Sequence, residues 1–217
     1  MKRIYFIMLM IAAMMMSCNP KDEDENQGGN GNNGGSNCYG EIAGHGYVDL
    51  GLPSGLKWAT CNVGASSPED YGDYFAWGET SPIVENNCIT DGEQMSDFSG
   101  NAQYDAATAN WGGSWRMPTK DEMQELVDHC EWEWTQVNGV NGSKVVGPNG
   151  SCIFLPAAGY DAVEYLIYEG DQGHYWSSTP YDNDNDTNAC DVYFGIGGAH
   201  VYVGNRFDGQ TVRPITE

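Results

Sequence analysis

The chain has 217 residues, with 9 Lys and Arg against 31 Asp and Glu, giving a formal net charge of −22 at pH 7. A field of that sign repels phosphate backbones and anionic lipid head groups, which excludes nucleic acid as a partner. Hydrophobic residues at 40%, with 7 Trp and 13 Tyr, supply a core, and 29 Gly point away from a helical bundle towards a loop-rich domain of short strands.

Lys2 and Arg3 precede an apolar run from Ile4 to Met16. It falls short of the roughly 20 residues of a bilayer-spanning helix and has the length of a signal-peptide core. The run ends in Met15-Met16-Ser17-Cys18, which resembles a lipobox, where a bacterial signal peptidase cuts before a cysteine that then carries acyl chains. Residues 1–17 are therefore expected to be a lipoprotein signal peptide and Cys18 the lipidated residue, since several acyl chains hold a protein on a membrane where one does not. Residues 18–38 read as the anchor and a flexible tether: Asp22, Glu23, Asp24 and Glu25, then a Gly/Asn-rich stretch. Acids directly behind a lipidated cysteine resemble the surface-export signal of Bacteroides-type lipoproteins. That implies an outer-membrane anchor with the domain exposed at the cell surface; a solubilising tether facing the periplasm is the other reading.

Six cysteines follow the anchor: Cys38, Cys61, Cys88, Cys130, Cys152 and Cys190. An even number in an exported chain fits disulfides, and the spacing does not choose the pairing. A Cys152–Cys190 bridge is one option, because both lie in predicted strands. No C-x-x-C spacing occurs, so a structural zinc site is not expected.

Residues 39–217 show no linker-like break and are expected to form one domain. Short β-branched or aromatic runs bounded by Gly, Pro, Asn and Asp predict strands at 47–50, 57–63, 74–77, 152–155, 175–178, 191–194, 200–203 and 211–215. Thr119-Lys-Asp-Glu122 is a capping box, and Met123, Leu126, Val127, Cys130 and Trp134 follow at helical spacing, predicting one main helix over about 119–132. A shorter helix is expected to start at Ser67-Pro68.

Several ordered motifs carry a resemblance. Tyr47-Val-Asp-Leu-Gly-Leu-Pro-Ser-Gly-Leu-Lys-Trp-Ala-Thr-Cys-Asn-Val-Gly64, Tyr71-Gly-Asp-Tyr-Phe-Ala-Trp-Gly-Glu79, Trp115-Arg-Met-Pro-Thr119, Ile153-Phe-Leu-Pro-Ala-Ala-Gly-Tyr160, Tyr175-Trp-Ser-Ser178 and Val212-Arg-Pro214 resemble the Fibrobacter succinogenes major paralogous domain family. That family is similar to C-type lectin-like folds, including formylglycine-generating enzymes and the variable proteins of diversity-generating retroelements. The resemblance implies an α+β, C-type lectin-like domain with short antiparallel strands, one main helix and long loops. It also implies that the last strands and loops present a ligand-binding face.

The tail supports such a face on its own alternation. Val192, Phe194, Val201 and Val203 fall on one side of a hairpin, and Asp191, Tyr193, His200 and Tyr202 on the other, with Gly195-Ile196-Gly197-Gly198 as the turn. Aromatic and short polar side chains on a rigid scaffold are what binding surfaces use. The candidate ligand-binding residues are Asp191, Tyr193, Ile196, His200, Tyr202, Asn205, Phe207 and Asp208; an ordinary hairpin with one solvated side is the plainer reading. In retroelement-diversified relatives the variable positions lie just before a closing Arg-Pro, which resembles Cys190 to Asp208 here.

No nucleophile elbow, zincin, P-loop or dinucleotide motif occurs, so no catalytic residues are expected. The cysteine pair of formylglycine-generating enzymes has no counterpart near the chain end. Asp182, Asp184 and Asp186 alternate with Asn like the start of a calcium loop, but Thr187 and Tyr193 stand where an EF-hand needs Gly and a carboxylate; they remain a weak calcium site, and otherwise no cofactor is expected. The sequence thus points to a surface lipoprotein that binds an external protein or glycan without chemistry. The alternatives are a structural subunit of a surface complex or fibre and, more remotely, a formylglycine-generating-type enzyme.

Overall fold

A computed structural model describes residues 39–83, 95–162, 165–181 and 187–217. The proposed signal peptide, lipidated Cys18 and tether, and Asp182, Asp184 and Asp186, lie outside these residues. In chain order the elements are β1 (Tyr39–Ile42), β2 (His45–Asp49), β3 (Lys57–Ala59), α1 (Ala106–Trp111), α2 (Lys120–His129), β4 (Glu131–Val137), β5 (Val140–Val146) and β6 (Cys152–Pro156). They continue as β7 (Tyr160–Asp161), β8 (Leu166–Ile167), β9 (Gln172–Pro180), β10 (Asn188–Gly195), β11 (Gly198–Asn205) and β12 (Ile215–Thr216).

The strands make four small antiparallel sheets, ordered β1-β2-β3-β12, β4-β5-β6, β7-β8 and β11-β10-β9. The domain is therefore mainly β, and the α+β, C-type lectin-like expectation built on one main helix is overturned: among the described residues there are two short helices and twelve strands. The predicted long helix stops at Cys130, whose backbone is extended at φ −108° and ψ 152°. Beyond it Glu131-Trp-Glu-Trp134 alternates exposed and half-buried positions, a period of two that suits a sheet. The strand then turns through Asn138 and Gly139, both at positive φ (48° and 88°), into β5. Both central residues at positive φ match the twist of a two-residue hairpin, which is why Asn-Gly occurs there.

Other expectations shift similarly. The second predicted helix does not form at Ser67; Asp70 accepts instead from the backbone N–H groups of Ser66 and Ser67, closing a turn. A short helix appears at α1, capped by Asp105, which accepts from Thr108 N–H. Cys61, Cys130 and Cys190 carry free thiols, so the Cys152–Cys190 bridge is not formed.

One core cluster joins the first sheet, α2 and both three-stranded sheets through Trp58, Leu126, Val145, Leu155, Val192 and Phe194. A second gathers Phe75, Trp77, Phe98, Met117, Trp176 and Val212. The C-terminal segment runs between them, bridging Gln210 to Phe75, Thr211 to Tyr175 and Ile215 to Arg116. Arg213, 1% exposed, donates to Asn62 Oδ1, Ala59 O and Phe154 O at 2.8, 2.9 and 3.0 Å, tying the end of β3 and β6 to the closing Arg-Pro.

Candidate functional site

The site is built on the β9-β10-β11 sheet. In antiparallel pairs, directly opposed residues share a face. Tyr193 faces both His174 and His200, while Asp191 faces both Trp176 and Tyr202. The opposite face turns Tyr175, Val192, Phe194, Ala199 and Val201 into the core. Gly173 lies under the Phe194 ring, where a Cβ would overlap it, so glycine is what allows strand and ring to close. A bulge between Ala189 and Asp191 lets Cys190 and Asp191 both be buried in succession.

Walls rise from elsewhere in the chain. The β7-β8 ribbon brings Tyr160, followed by Tyr168, and the segment after β11 brings Asp208 and Gln210; the two walls are clamped together by the Asp161–Gly209 bridge. They enclose an open pocket of about 540 Å³. Five rings follow one another around it. Tyr160 stands 6.1 Å from Tyr168 and 5.1 Å from His174; Tyr193 stands 5.3 Å from His174 and 6.4 Å from Tyr202, all between centroids.

The floor is acidic. Asp191 is 1% exposed; its Oδ2 accepts from Gln210 Nε2 at 3.0 Å and lies 3.4 Å from His174 Nδ1. Asp191 Oδ1 and Gln210 Oε1 are buried without a hydrogen-bond partner. Burial pushes the Asp208 carboxyl above its ordinary range, with the Asp161 and Asp191 carboxylates adding to the effect and His174 opposing it. Burial likewise raises the Tyr160 phenol, with help from Asp208. Neither Lys nor Arg lines this pocket.

The structure brings together Asp191, Tyr193, His200, Tyr202 and Asp208 of the sequence candidates. It does not bring in the other three. Ile196 sits 86% exposed at the hairpin tip, and Asn205 and Phe207 lie outside the lining, Asn205 Oδ1 accepting from Phe207 N–H at 3.1 Å. Sequence reasoning missed Tyr160, Tyr168, Gln172, His174 and Gln210. Gln172 and His174 could have been found by extending the same alternation back along β9 from Trp176. The ribbon tyrosines had no local signal, because their approach depends on pairing across distant segments.

A second depression of about 700 Å³ lies beyond Tyr202 and Val203, where Lys120, Thr179 and Cys190 meet. Burial raises the Cys190 pKa, which leaves it a packed thiol and a poor nucleophile. Among the described residues no group of three or more His, Cys, Asp or Glu is placed to hold a metal ion.

Fold and site together define a mainly β domain with an open, aromatic-walled and acid-floored pocket. The model of the Lcl C-terminal domain family matches residues 51–216, and the chain belongs to that family. No curated protein and no solved structure gives a significant match.

Proposed function

We propose that the chain is a surface-exposed lipoprotein whose domain binds an external protein or glycan in the β9-β10-β11 pocket, without catalysis. The observation that carries this reading is the pocket itself: rings from three separate segments converge on a rigid sheet around a volume of about 540 Å³, within the range of ligand sites. The lining includes no Ser, Thr, Cys or Lys for the His174–Asp191 pair to activate, which favours recognition over nucleophilic chemistry. The anchor rests on Lys2-Arg3, the apolar run and Cys18, and the outward orientation on Asp22 to Glu25. The ordered motifs resembling the Fibrobacter succinogenes major paralogous domain family favour a ligand-binding face in the last strands and loops.

The test uses the full chain expressed on cells. Protease should remove the domain from intact cells, and a glycan and host-protein array should return a specific ligand. The Tyr193→Ala and Tyr202→Ala double variant should lose that ligand at least tenfold, with little change in thermal midpoint, because Tyr202 is 63% exposed and Tyr193 is only partly buried. Unchanged binding would sink the site. Protection from protease, with one partner from the same envelope co-purifying, would replace the reading with an assembly subunit.

A further inference from the structure

Resting on the reading of this pocket as a receptor site, we propose that the group it receives is an ammonium, a protonated primary or methylated amine.

The floor of the pocket is electrostatically unbalanced. A buried carboxylate is stable only when hydrogen bonds and opposite charge replace the water it lost. Asp191 is 1% exposed, yet one of its oxygens has no partner. Its only ionic contact among the described residues is His174, at 3.4 Å. Gln210 orients its amide nitrogen to Asp191, and its own oxygen is left without a donor. The opposite amide orientation would set oxygen against carboxylate, so the arrangement is fixed by electrostatics. Beyond His174 the floor therefore lacks positive charge, and it lacks hydrogen-bond donors for these two oxygens. Asp208 stands in the same field: burial raises its pKa against the pull of His174, and the carboxylates of Asp161 and Asp191 add to the rise.

The walls suit the same group. A cation is attracted to ring faces within about 6 Å of the centroid, and neighbouring rings here are spaced 5.1–6.4 Å apart. One ammonium can thus contact two or three rings at once while facing the acidic floor. The cation–π contacts found elsewhere, Lys57 over Tyr47 and Arg206 over Trp77, do not occupy these rings. A neutral sugar would bring Asp191 no positive charge beyond the His174 contact, and a sulfated or phosphorylated ligand would oppose it. A metal ion is disfavoured by the absence, among the described residues, of a three-ligand group. The chain's −22 net charge adds a long-range field that draws cations in.

Calorimetric titration of the purified full chain in non-ionic detergent tests this with four probes: butylammonium, choline, Nα-acetyl-lysine methylamide and its Nε-acetylated form. The three cations should bind and the neutral acetylated probe should bind at least tenfold more weakly. Asp191→Asn should weaken the cations at least tenfold. Tyr202→Leu keeps apolar area on an exposed position and removes the ring face, so it should weaken them severalfold; it serves if Asp191→Asn does not fold. The blocked lysine binding more tightly than butylammonium would assign the group to a polypeptide lysine, and the reverse order to a free amine; either supports the inference. Equal binding of the acetylated probe, or cation binding indifferent to both variants, overturns it. So does no binding of any cation; a specific array ligand lost in the Tyr193/Tyr202 double variant would then show that the receptor reading survives and only the ligand class fails.

Discussion

At the scale of single residues, the site is organised by which carboxylates the fold hides. Asp208 is half-buried and is held above its ordinary value of 3.8 by burial first, then by Asp161 and Asp191, against the pull of His174. A raised carboxyl binds its proton more tightly in the folded than in the unfolded chain, so folding stability falls as pH rises from 3.8 through the raised value. Asp208→Asn removes that loss. Urea midpoints from pH 3 to 8 should show the variant more stable than the parent at neutral pH, with the gap closing towards pH 3; a variant less stable at pH 7 would mean that the Asp208 charge is compensated. The alternation rule made Asp191, Tyr193, His200 and Tyr202 legible as one face, and the register of β10 with β11 places them so. Gln210 and Tyr160 were not legible, since neither is a strand neighbour of those residues in sequence. Each reaches the pocket through isolated bridges or a separate ribbon.

At the scale of elements, α2 shows how much a short motif can specify. Thr119 Oγ1 accepts from Glu122 N–H, and the Glu122 carboxylate accepts from Thr119 N–H at 2.7 Å, the reciprocal capping box that the sequence announced. The same carboxylate takes a bidentate pair of bonds from Arg116 at 2.8 and 2.7 Å. Burial raises the Glu122 pKa, but the Arg116 and Thr119 bonds together outweigh it and hold the group below its ordinary 4.5. A depressed carboxyl stabilises the fold above its unfolded value and loses that contribution as pH falls through the lowered one. Glu122→Gln should therefore cost about 1–2 kcal/mol at pH 7, and the cost should shrink below pH 4.5, as followed by urea denaturation. A cost independent of pH would assign the effect to packing alone. The start of this helix was legible and its end was not. Trp134 fits a helical stripe from Met123 as well as it fits the two-residue alternation of Glu131-Trp-Glu-Trp134, and only the following Asn138-Gly139 turn decides for the strand.

At the scale of the whole molecule, the pairings that make the fold are the least local. Ile215 pairs with Trp58 across most of the chain and is bridged to Arg116, so the last strand closes the first sheet. No short window encodes such a contact, which is why strands were identified singly while the mainly β architecture was not. Net charge, by contrast, is wholly legible, and it acts in opposite directions on stability and on the proposed ligand. With 31 acidic against 9 basic side chains, the compact state carries self-repulsion that salt screens over a Debye length of about 10 Å at 0.1 M. Raising sodium chloride from about 0.01 to 0.3 M should raise the thermal midpoint, read by scanning calorimetry. The same change should weaken ammonium binding, because it screens the attraction that draws the cation to Asp191 and Asp208. Salt-insensitive binding beside a rising midpoint would place the affinity in ring contacts alone and take the charge of the floor out of recognition. A midpoint that does not rise would mean that local pairs such as Arg116–Glu122 already dominate the chain's electrostatics.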